Sequence, residues 1–174
     1  MTAPNIVFIL ADDLGWADLG VYGATDFKTP HLDRLAAPGV RFHQAYANSA
    51  VCSATRIALI TGRYQYRLRA GLEEPLARYG GQLGLQPEHP TLPSLLKKAG
   101  YDTALIGKWN LGQPPAYGPQ RSGYDYFFGN HHGAIDYFTH KPGVGEQFDR
   151  DLWQGSEPVE RSGYYTYILG DEAT

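Results

Sequence analysis

Residues 6–10 form a run of five apolar and mostly β-branched side chains that ends shortly before two aspartates. A run of this length without polar alternation predicts a strand that is buried on both faces, as in a parallel sheet. Because parallel strands need long crossover connections, helices normally cover both faces of such a sheet. The run therefore indicates a strand of a parallel sheet.

The rest of the chain alternates between helix and strand patterns. Thr29 and Pro30 are residue types favoured at the N-cap and first position of a helix, and Pro38-Gly39 stops the pattern that follows. This alternation predicts an α/β fold with a largely parallel sheet and flanking helices. The predicted elements are helices at 29–37 and 91–100 and strands at 40–47 and 101–106.

The remaining stretches lack clear periodicity. Residues 64–90 mix Gly, Pro and charges and are interpreted as a long surface loop, while residues 107–163 are rich in Gly, Pro and Tyr and predict loops and short strands. Residues 163–174 look like a strand followed by the first turn of a helix. We therefore expect the domain to continue beyond residue 174.

Composition excludes several classes of partner. The 174 residues most simply form one domain, and the net charge of −3 with dispersed Lys and Arg argues against nucleic acid and membrane surfaces. No apolar run approaches the roughly 18 residues of a transmembrane helix. No leader peptide is visible, so a cytoplasmic location is the default expectation, or a periplasmic or secreted one if a signal was removed. The single cysteine forbids an internal disulfide and a cysteine-based zinc site.

That cysteine, Cys52, lies among small or polar residues at the start of a helical pattern. Arg56 follows four residues later and would share its helix face. A helix N-terminus adds unpaired N–H groups and the positive end of a dipole, which suit an anion and an activated nucleophile. The alternative interpretation is an ordinary buried thiol that acts as a small hydrophobic side chain.

Asp12 and Asp13 directly follow the first predicted strand, where ligands of open α/β sheets bind. Two adjacent carboxylates repel each other unless a cation neutralises them, and their hard oxygen donors favour Ca²⁺ or Mg²⁺. The pair could instead form a solvated turn or cap the residues that follow.

Lys108 and Asn110 follow the predicted strand at 101–106. The lysine could bind a sulfate or phosphate oxygen, or it could be an ordinary surface lysine. Farther along, His131, His132, Asp136 and His140 have a spacing that a transition-metal site could use. Because loop spacing is weak support for a metal site, we interpret these histidines as solvated or packing residues.

Several motifs, in order along the chain, resemble the sulfatase family. Residues 52–56 fit its C-x-[PA]-x-R signature, and residues 59–63 fit the continuation L-x-T-G-[RK]. The other matches are residues 11–15 with A-D-D-x-G, residues 107–112 with G-K-W-H-L-G, residues 123–129 with G-F-D-x-F-x-G, and residues 163–166 with the start of G-Y-x-T-D. Asn110 stands where the family has a histidine, and Tyr167 stands where it has an aspartate.

The resemblance implies a fold like that of alkaline phosphatase, with residues 1–174 as the N-terminal part of a catalytic domain. It implies that Cys52 is converted to formylglycine by a formylglycine-generating machinery, and that Asp12, Asp13 and the modified Cys52 bind Ca²⁺, or Mg²⁺. Arg56 and Lys108 would stabilise charge on the sulfate. Asn110 would contact an oxyanion without exchanging protons near neutral pH.

The function expected on this basis is hydrolysis of a sulfate ester, as in arylsulfatases, with a small molecule or a saccharide as the alcohol part. Two alternatives stay open at this point. One is a phosphonate or phosphodiester hydrolase with the same cofactors, and the other is a non-catalytic fragment that binds a metal or an anion.

Overall fold

The computed structural model describes residues 3–73, 82–143 and 150–174. The chain divides into two compact units, Met1–Tyr46 and Ala47–Thr174. In the described ranges no helix combines the length and the apolar character that crossing a bilayer requires.

The first unit is built around helix α1, Pro30–Ala36, preceded by two 3₁₀ turns at Trp16–Asp18 and Gly20–Tyr22. The Asp33 carboxylate accepts hydrogen bonds from the Val21 backbone N–H at 2.8 Å and from the Thr29 hydroxyl at 3.1 Å. These bonds fasten the second turn to the helix. The helix predicted over 29–37, with proline at its first position, is confirmed.

The two strands predicted in the first unit are wrong for this structure. Residues 6–10 and 40–47 have no assigned strand, and the exposed fraction rises from 41% at Leu10 to 84% at Val7. A buried strand needs hydrogen-bonded neighbours on both edges and packed layers on both faces. Within this unit the described residues supply neither, so the apolar run alone does not make a strand.

The second unit contains a sheet of four strands, which are adjacent in chain order: β1 Ala104–Lys108, β2 Tyr126–Asn130, β3 Trp153–Gln154 and β4 Glu157–Pro158. Strands β1 and β2 are parallel, in a register that runs from Ala104 opposite Tyr126 to Lys108 opposite Asn130, whereas the two short strands are antiparallel. The carboxyl ends of β1 and β2 therefore meet at one edge.

Helices cover this sheet. They are α2 Cys52–Thr61, α3 Arg69–Leu72, α4 Leu92–Lys98 and α5 Tyr165–Glu172. Helix α4 confirms the prediction at 91–100, and a capping box between Thr91 and Ser94 explains where it begins. The segment interpreted as one surface loop, 64–90, contains α3 and a 3₁₀ turn at Gln65–Arg67, and its residues 74–81 lie outside the described residues.

The C-terminal segment is a helix from Tyr165 onward, so the strand predicted at its start is wrong. Tyr165, Ile168 and Leu169 recur at helical spacing and pack together in one core cluster. That shared face outweighs the β-forming preference of the tyrosine-rich run. Tyr167 lies off this face and is 73% exposed.

Neighbouring residues of β2 point into two separate cores. Phe127 packs in the cluster that contains Ile57 of α2, and Phe128 packs in the cluster that contains Tyr165 of α5. Because successive side chains of a strand alternate between faces, the sheet is covered on both sides. Layers on both faces of a sheet with parallel strands agree with the predicted α/β class.

Gly107 and Gly129 bring β1 and β2 into direct backbone contact just before the strands end. A β-carbon at Gly129 would lie 1.9 Å from the Gly107 carbonyl oxygen, and the φ angle of Gly129 is +151°. Only glycine permits this approach and this angle without strain. The two glycines thus help to determine where the segments after both strands begin.

Candidate active site

Cys52 is the first residue of α2 and is half-buried. The backbone before it is tied down, because the Thr55 hydroxyl donates to the Ser49 carbonyl oxygen at 2.5 Å and accepts from the Ser49 N–H at 2.9 Å. The Thr55 N–H also bonds the Val51 carbonyl oxygen at 3.0 Å. The structure therefore places Cys52 at a helix N-terminus, as the sequence predicted.

Lys108 and Asn110 lie where β1 ends, at the edge that β1 shares with β2. The Trp109 N–H bonds the Asn130 carbonyl oxygen at 2.9 Å, and the Asn110 N–H bonds the His131 carbonyl oxygen at 3.2 Å. The pairing of the two strands thus continues beyond Lys108 into the next turn. Ligands of α/β proteins bind at such an edge.

Arg56 joins the helix to this edge. It lies one turn after Cys52, and its Nη1 donates to the Lys108 carbonyl oxygen at 2.9 Å. A guanidinium bonded to a fixed carbonyl has little freedom to move, so its charge is preorganised. Four of the predicted site residues, Cys52, Arg56, Lys108 and Asn110, therefore lie on two adjoining elements of the second unit.

Asn110 is 7% exposed and has a left-handed backbone with φ of +57°. Asparagine is one of the few residues that adopt this conformation readily. Its Oδ1 is buried and has no hydrogen-bond partner among the described residues. The side chain thus offers an acceptor, and its amide nitrogen a donor, but it cannot transfer a proton at neutral pH.

The positive charge of Arg56 affects the pKa values of two tyrosines, Tyr124 and Tyr165. Burial raises the pKa of Tyr124 and of Tyr165, and the positive charge of Arg56 opposes that rise in both. Asp151 and Tyr137 add to the rise in the pKa of Tyr165. Both phenols are therefore neutral at physiological pH and act as hydrogen-bonding or packing groups.

The histidine-rich segment does not form a metal site in the described ranges, which contain no cluster of three or more His, Cys, Asp or Glu side chains suited to a metal. The ring of His131 packs against Phe127 and Trp153, with centroids 4.8 and 5.1 Å away. His140 is buried with its Nε2 3.1 Å from the Gly163 carbonyl oxygen. These contacts agree with the packing interpretation of the segment.

His131 makes folding sensitive to acid. Burial lowers its pKa from 6.5 to about 4, and neither ring nitrogen has a hydrogen-bond partner among the described residues. The unfolded chain therefore binds this proton more tightly, and stability falls as the pH drops from about 6.5 toward 4. Between pH 7 and pH 5 we expect His131 to cost about 2 kcal/mol of the free energy of unfolding.

Urea unfolding at both pH values measures this cost in the parent and in His131→Phe, which cannot titrate. The stability difference between the two proteins should change by this amount in favour of the variant at pH 5. Parallel pH dependence in the two proteins would contradict the prediction.

Asp12 and Asp13 belong to the first unit and are exposed, and Asp13 has a left-handed backbone with φ of +55°. Their carboxylate oxygens fit Ca²⁺ in donor type, whereas two side chains supply fewer donors than the six to eight oxygens that Ca²⁺ takes. They therefore suit part of a metal shell. Their role as metal ligands, and that of Cys52, stays a prediction.

Three polar residues beside the site have no recognised motif: Gln113, Asn130 and Asp151. Asn130 could have been found, because it is the last residue of β2, which is parallel to β1 and ends at the same edge. Its Oδ1 accepts from the Tyr165 hydroxyl at 2.7 Å, and its Nδ2 donates to the His132 carbonyl oxygen at 2.7 Å. Asp151 and Gln113 come close to the site only when the chain is folded. No motif or local pattern in the sequence marks either residue.

Comparison with solved structures defines the class of protein. The crystal structure of Ps i-CgsB superposes with a TM-score of 0.89 at 33% identity, over 99% of this chain and 40% of that one. BT4656, in complex with its substrate D-glucosamine-2-N,6-O-disulfate, gives a TM-score of 0.74 at 29% identity, over 99% of this chain and 30% of that one. The fold is thus the α/β fold of the alkaline phosphatase-like superfamily.

The model of the Sulfatase family matches residues 4–173, and the chain belongs to the sulfatase family. N-acetylgalactosamine-6-sulfatase from Homo sapiens is 43% identical over 141 residues, which cover 76% of this chain and 27% of that protein. Arylsulfatase G from Rattus norvegicus is 44% identical over 126 residues, which cover 72% of this chain and 23% of that protein. The chain spans about a quarter of the length of these curated relatives.

Proposed function

We propose that this chain supplies the nucleophile-bearing part of a sulfate ester hydrolase. The observation that carries the proposal is the hydrogen bond from Arg56 Nη1 to the Lys108 carbonyl oxygen. This bond joins the helix that begins at Cys52 to the strand end that presents Lys108. A cysteine at a helix N-terminus, with Arg56 one turn later and Lys108 at the strand end that Arg56 contacts, suits attack on an anionic ester.

The proposed substrate is a small molecule or a saccharide that carries a sulfate ester. Family membership supports the sulfate. The similar structure of BT4656 with D-glucosamine-2-N,6-O-disulfate, and the similarity to N-acetylgalactosamine-6-sulfatase, favour a sugar as the alcohol part.

The proposed nucleophile is a formylglycine made from Cys52. One hydroxyl of its hydrated aldehyde would attack sulfur while the S–O bond to the alcohol breaks, and the second hydroxyl would let sulfate leave as the aldehyde forms again. An unmodified thiol has no second hydroxyl, so turnover depends on the modification. The place of Cys52 at the start of α2 directs backbone N–H groups toward this reaction and favours the negative charge there.

Arg56 and Lys108 would stabilise the negative charge that develops on the sulfate oxygens. Arg56 also holds the Lys108 backbone, so displacement of either cation would disturb the other. Asn110 would donate its amide N–H to an oxyanion at the same strand end. Because Asn110 cannot release a proton near pH 7, the proton for the leaving alcohol comes from another group.

Asp12 and Asp13 would hold part of the shell of a divalent cation, with Ca²⁺ proposed first and Mg²⁺ as the alternative. Such an ion supplies positive charge that stabilises a nucleophilic hydroxyl and withdraws charge from a sulfate oxygen. The support for this assignment is the donor type of the two side chains and their match to the family motif at residues 11–15.

Peptide mass spectrometry across residues 49–63 tests the proposal directly. In a host with formylglycine-generating machinery, the complete protein should show the aldehyde in place of the Cys52 thiol. The same preparation should hydrolyse an aryl sulfate, lose activity on chelation and regain it with added Ca²⁺. An unmodified thiol in an active preparation would overturn the proposed nucleophile.

The matched phosphodiester and phosphonate esters distinguish the alternative hydrolases. We expect kcat/KM to be larger for the sulfate than for either phosphorus ester with the same alcohol. A large excess of phosphodiester or phosphonate turnover would reassign the activity while keeping the same nucleophile.

A further inference from the structure

Asp151 is fully buried beside the candidate active site, and its carboxylate binds two consecutive backbone N–H groups. Oδ1 accepts from the His131 N–H at 3.0 Å and from Trp153 Nε1 at 3.0 Å. Oδ2 accepts from the His132 N–H at 2.8 Å and lies 2.8 Å from His132 Nδ1. A buried charge is tolerated only when it is bonded in this way, so the arrangement is fixed by several contacts at once.

The segment that Asp151 fixes is the one that holds the turn after β1. The Asn130 and His131 carbonyl oxygens accept from the Trp109 and Asn110 N–H groups. Because of these hydrogen bonds, a shift in the position of residues 130–132 would also shift the backbone of the turn that presents Lys108 and Asn110. Asp151, Asn130 and His131 are all buried, so water does not compete for these hydrogen bonds.

A second path reaches the far side of the same turn. His132 Nδ1 lies 2.8 Å from Asp151 Oδ2, an electrostatic contact without hydrogen-bond alignment, and the other ring nitrogen, Nε2, faces Gln113. Gln113 Nε2 lies 2.6 Å from that nitrogen. Gln113 follows Asn110 by three residues, so the chain Asp151, His132 and Gln113 clamps the turn beyond Asn110 as well as before it.

We propose that Asp151 is a positioning residue for Lys108 and Asn110, acting through residues 130–132 and through His132 and Gln113. This proposal rests on the proposed function, because it assigns Asp151 a role in the reaction of that site. Asp151 does not contact substrate. It keeps the groups that do so in their productive places.

The test is Asp151→Asn in the complete protein, with Asp136→Asn as the matched control. Asparagine keeps the shape of the side chain but replaces one carboxylate oxygen by an NH2 group. That group cannot accept a hydrogen bond from the N–H donors that Asp151 binds. Asp136 also binds backbone, accepting from the Phe138 and Thr139 N–H groups at 3.1 and 2.6 Å, in an exposed turn.

We expect kcat on an aryl sulfate, per formylglycine formed, to fall about 10- to 100-fold in Asp151→Asn with a smaller change in KM. The control should stay within about twofold.

Hydrogen exchange supplies a readout that does not depend on activity. The Trp109 and Asn110 amides should exchange faster in Asp151→Asn than in the parent, and at the parent rate in Asp136→Asn. If the parent hydrolyses no sulfate ester but these amides respond, the proposed function fails and the structural linkage remains. If kcat per active site and both amides are unchanged in Asp151→Asn, the positioning role is overturned.

Gln113→Leu keeps the test decisive if Asp151→Asn does not fold. This change removes only the contact between Gln113 and His132, so kcat should fall several-fold and exchange at Asn110 should rise. A folded Gln113→Leu protein with parent kcat and parent exchange would then overturn the proposal.

Discussion

Replacing Cys52 by alanine is expected to abolish sulfate ester hydrolysis, with kcat lower by about 10⁴-fold or more. The change removes the thiol group whose oxidation would turn Cβ of residue 52 into the aldehyde, and it leaves every hydrogen bond of the helix start in place. Alanine is a good helix former, so α2 should still begin at residue 52. The measurement is steady-state turnover of an aryl sulfate by the complete protein, alongside its thermal midpoint.

Cys52→Ser is the informative companion to the alanine variant. Serine offers one hydroxyl but not the second one on which release of sulfate depends. We expect at most one equivalent of alcohol per protein and then no further turnover. Sustained turnover by either variant, with an unchanged thermal midpoint, would remove Cys52 from the mechanism.

Arg56→Ala should have the second largest effect, a fall in kcat/KM of about 10³-fold. It removes a preorganised positive charge and also the donor to the Lys108 carbonyl oxygen, so Lys108 loses a constraint. Charge-assisted hydrogen bonds of this kind are worth about 1.5–3 kcal/mol each. Initial rates over a range of substrate concentration give both kcat and KM.

Arg56→Lys separates charge from geometry, and Arg63→Ala is the matched control. Lysine keeps the charge but lacks the planar fork, so we expect an intermediate loss of about 10- to 100-fold. Arg63 is exposed just past the end of α2, and its loss should leave kcat/KM within about twofold. Equal activity of Arg56→Ala and Arg63→Ala would show that Arg56 stabilises no charge in the reaction.

Sequence predicted the features that depend on local chemistry. The helix at Cys52 is defined by its own residues and ends at Gly62, whose φ of +64° suits a C-cap. Lys108 and Asn110 could be placed at the end of a strand because apolar residues precede them. The bond from Arg56 to Lys108 spans 52 residues and required the fold.

Features that depend on distant neighbours could not be predicted. The run at residues 6–10 has the composition of a buried strand, but pairing and coverage come from other segments. Asp151 looks like any aspartate in the sequence, and its importance arises because it is buried against residues that precede it by about twenty positions. Roles for Asp12 and Asp13 follow from their motif and remain to be measured.

The contact between Gly107 and Gly129 has a consequence for altering substrate preference by directed evolution. A library that varies the exposed residues 114–116 can sample many side chains, whereas Trp109 and Leu111 of the turn after β1 are buried in the core and should stay fixed. The codons of the two glycines should stay fixed, because any β-carbon at Gly129 would push the strands apart. New specificities are therefore more accessible through the side chains that follow this contact than through the contact itself.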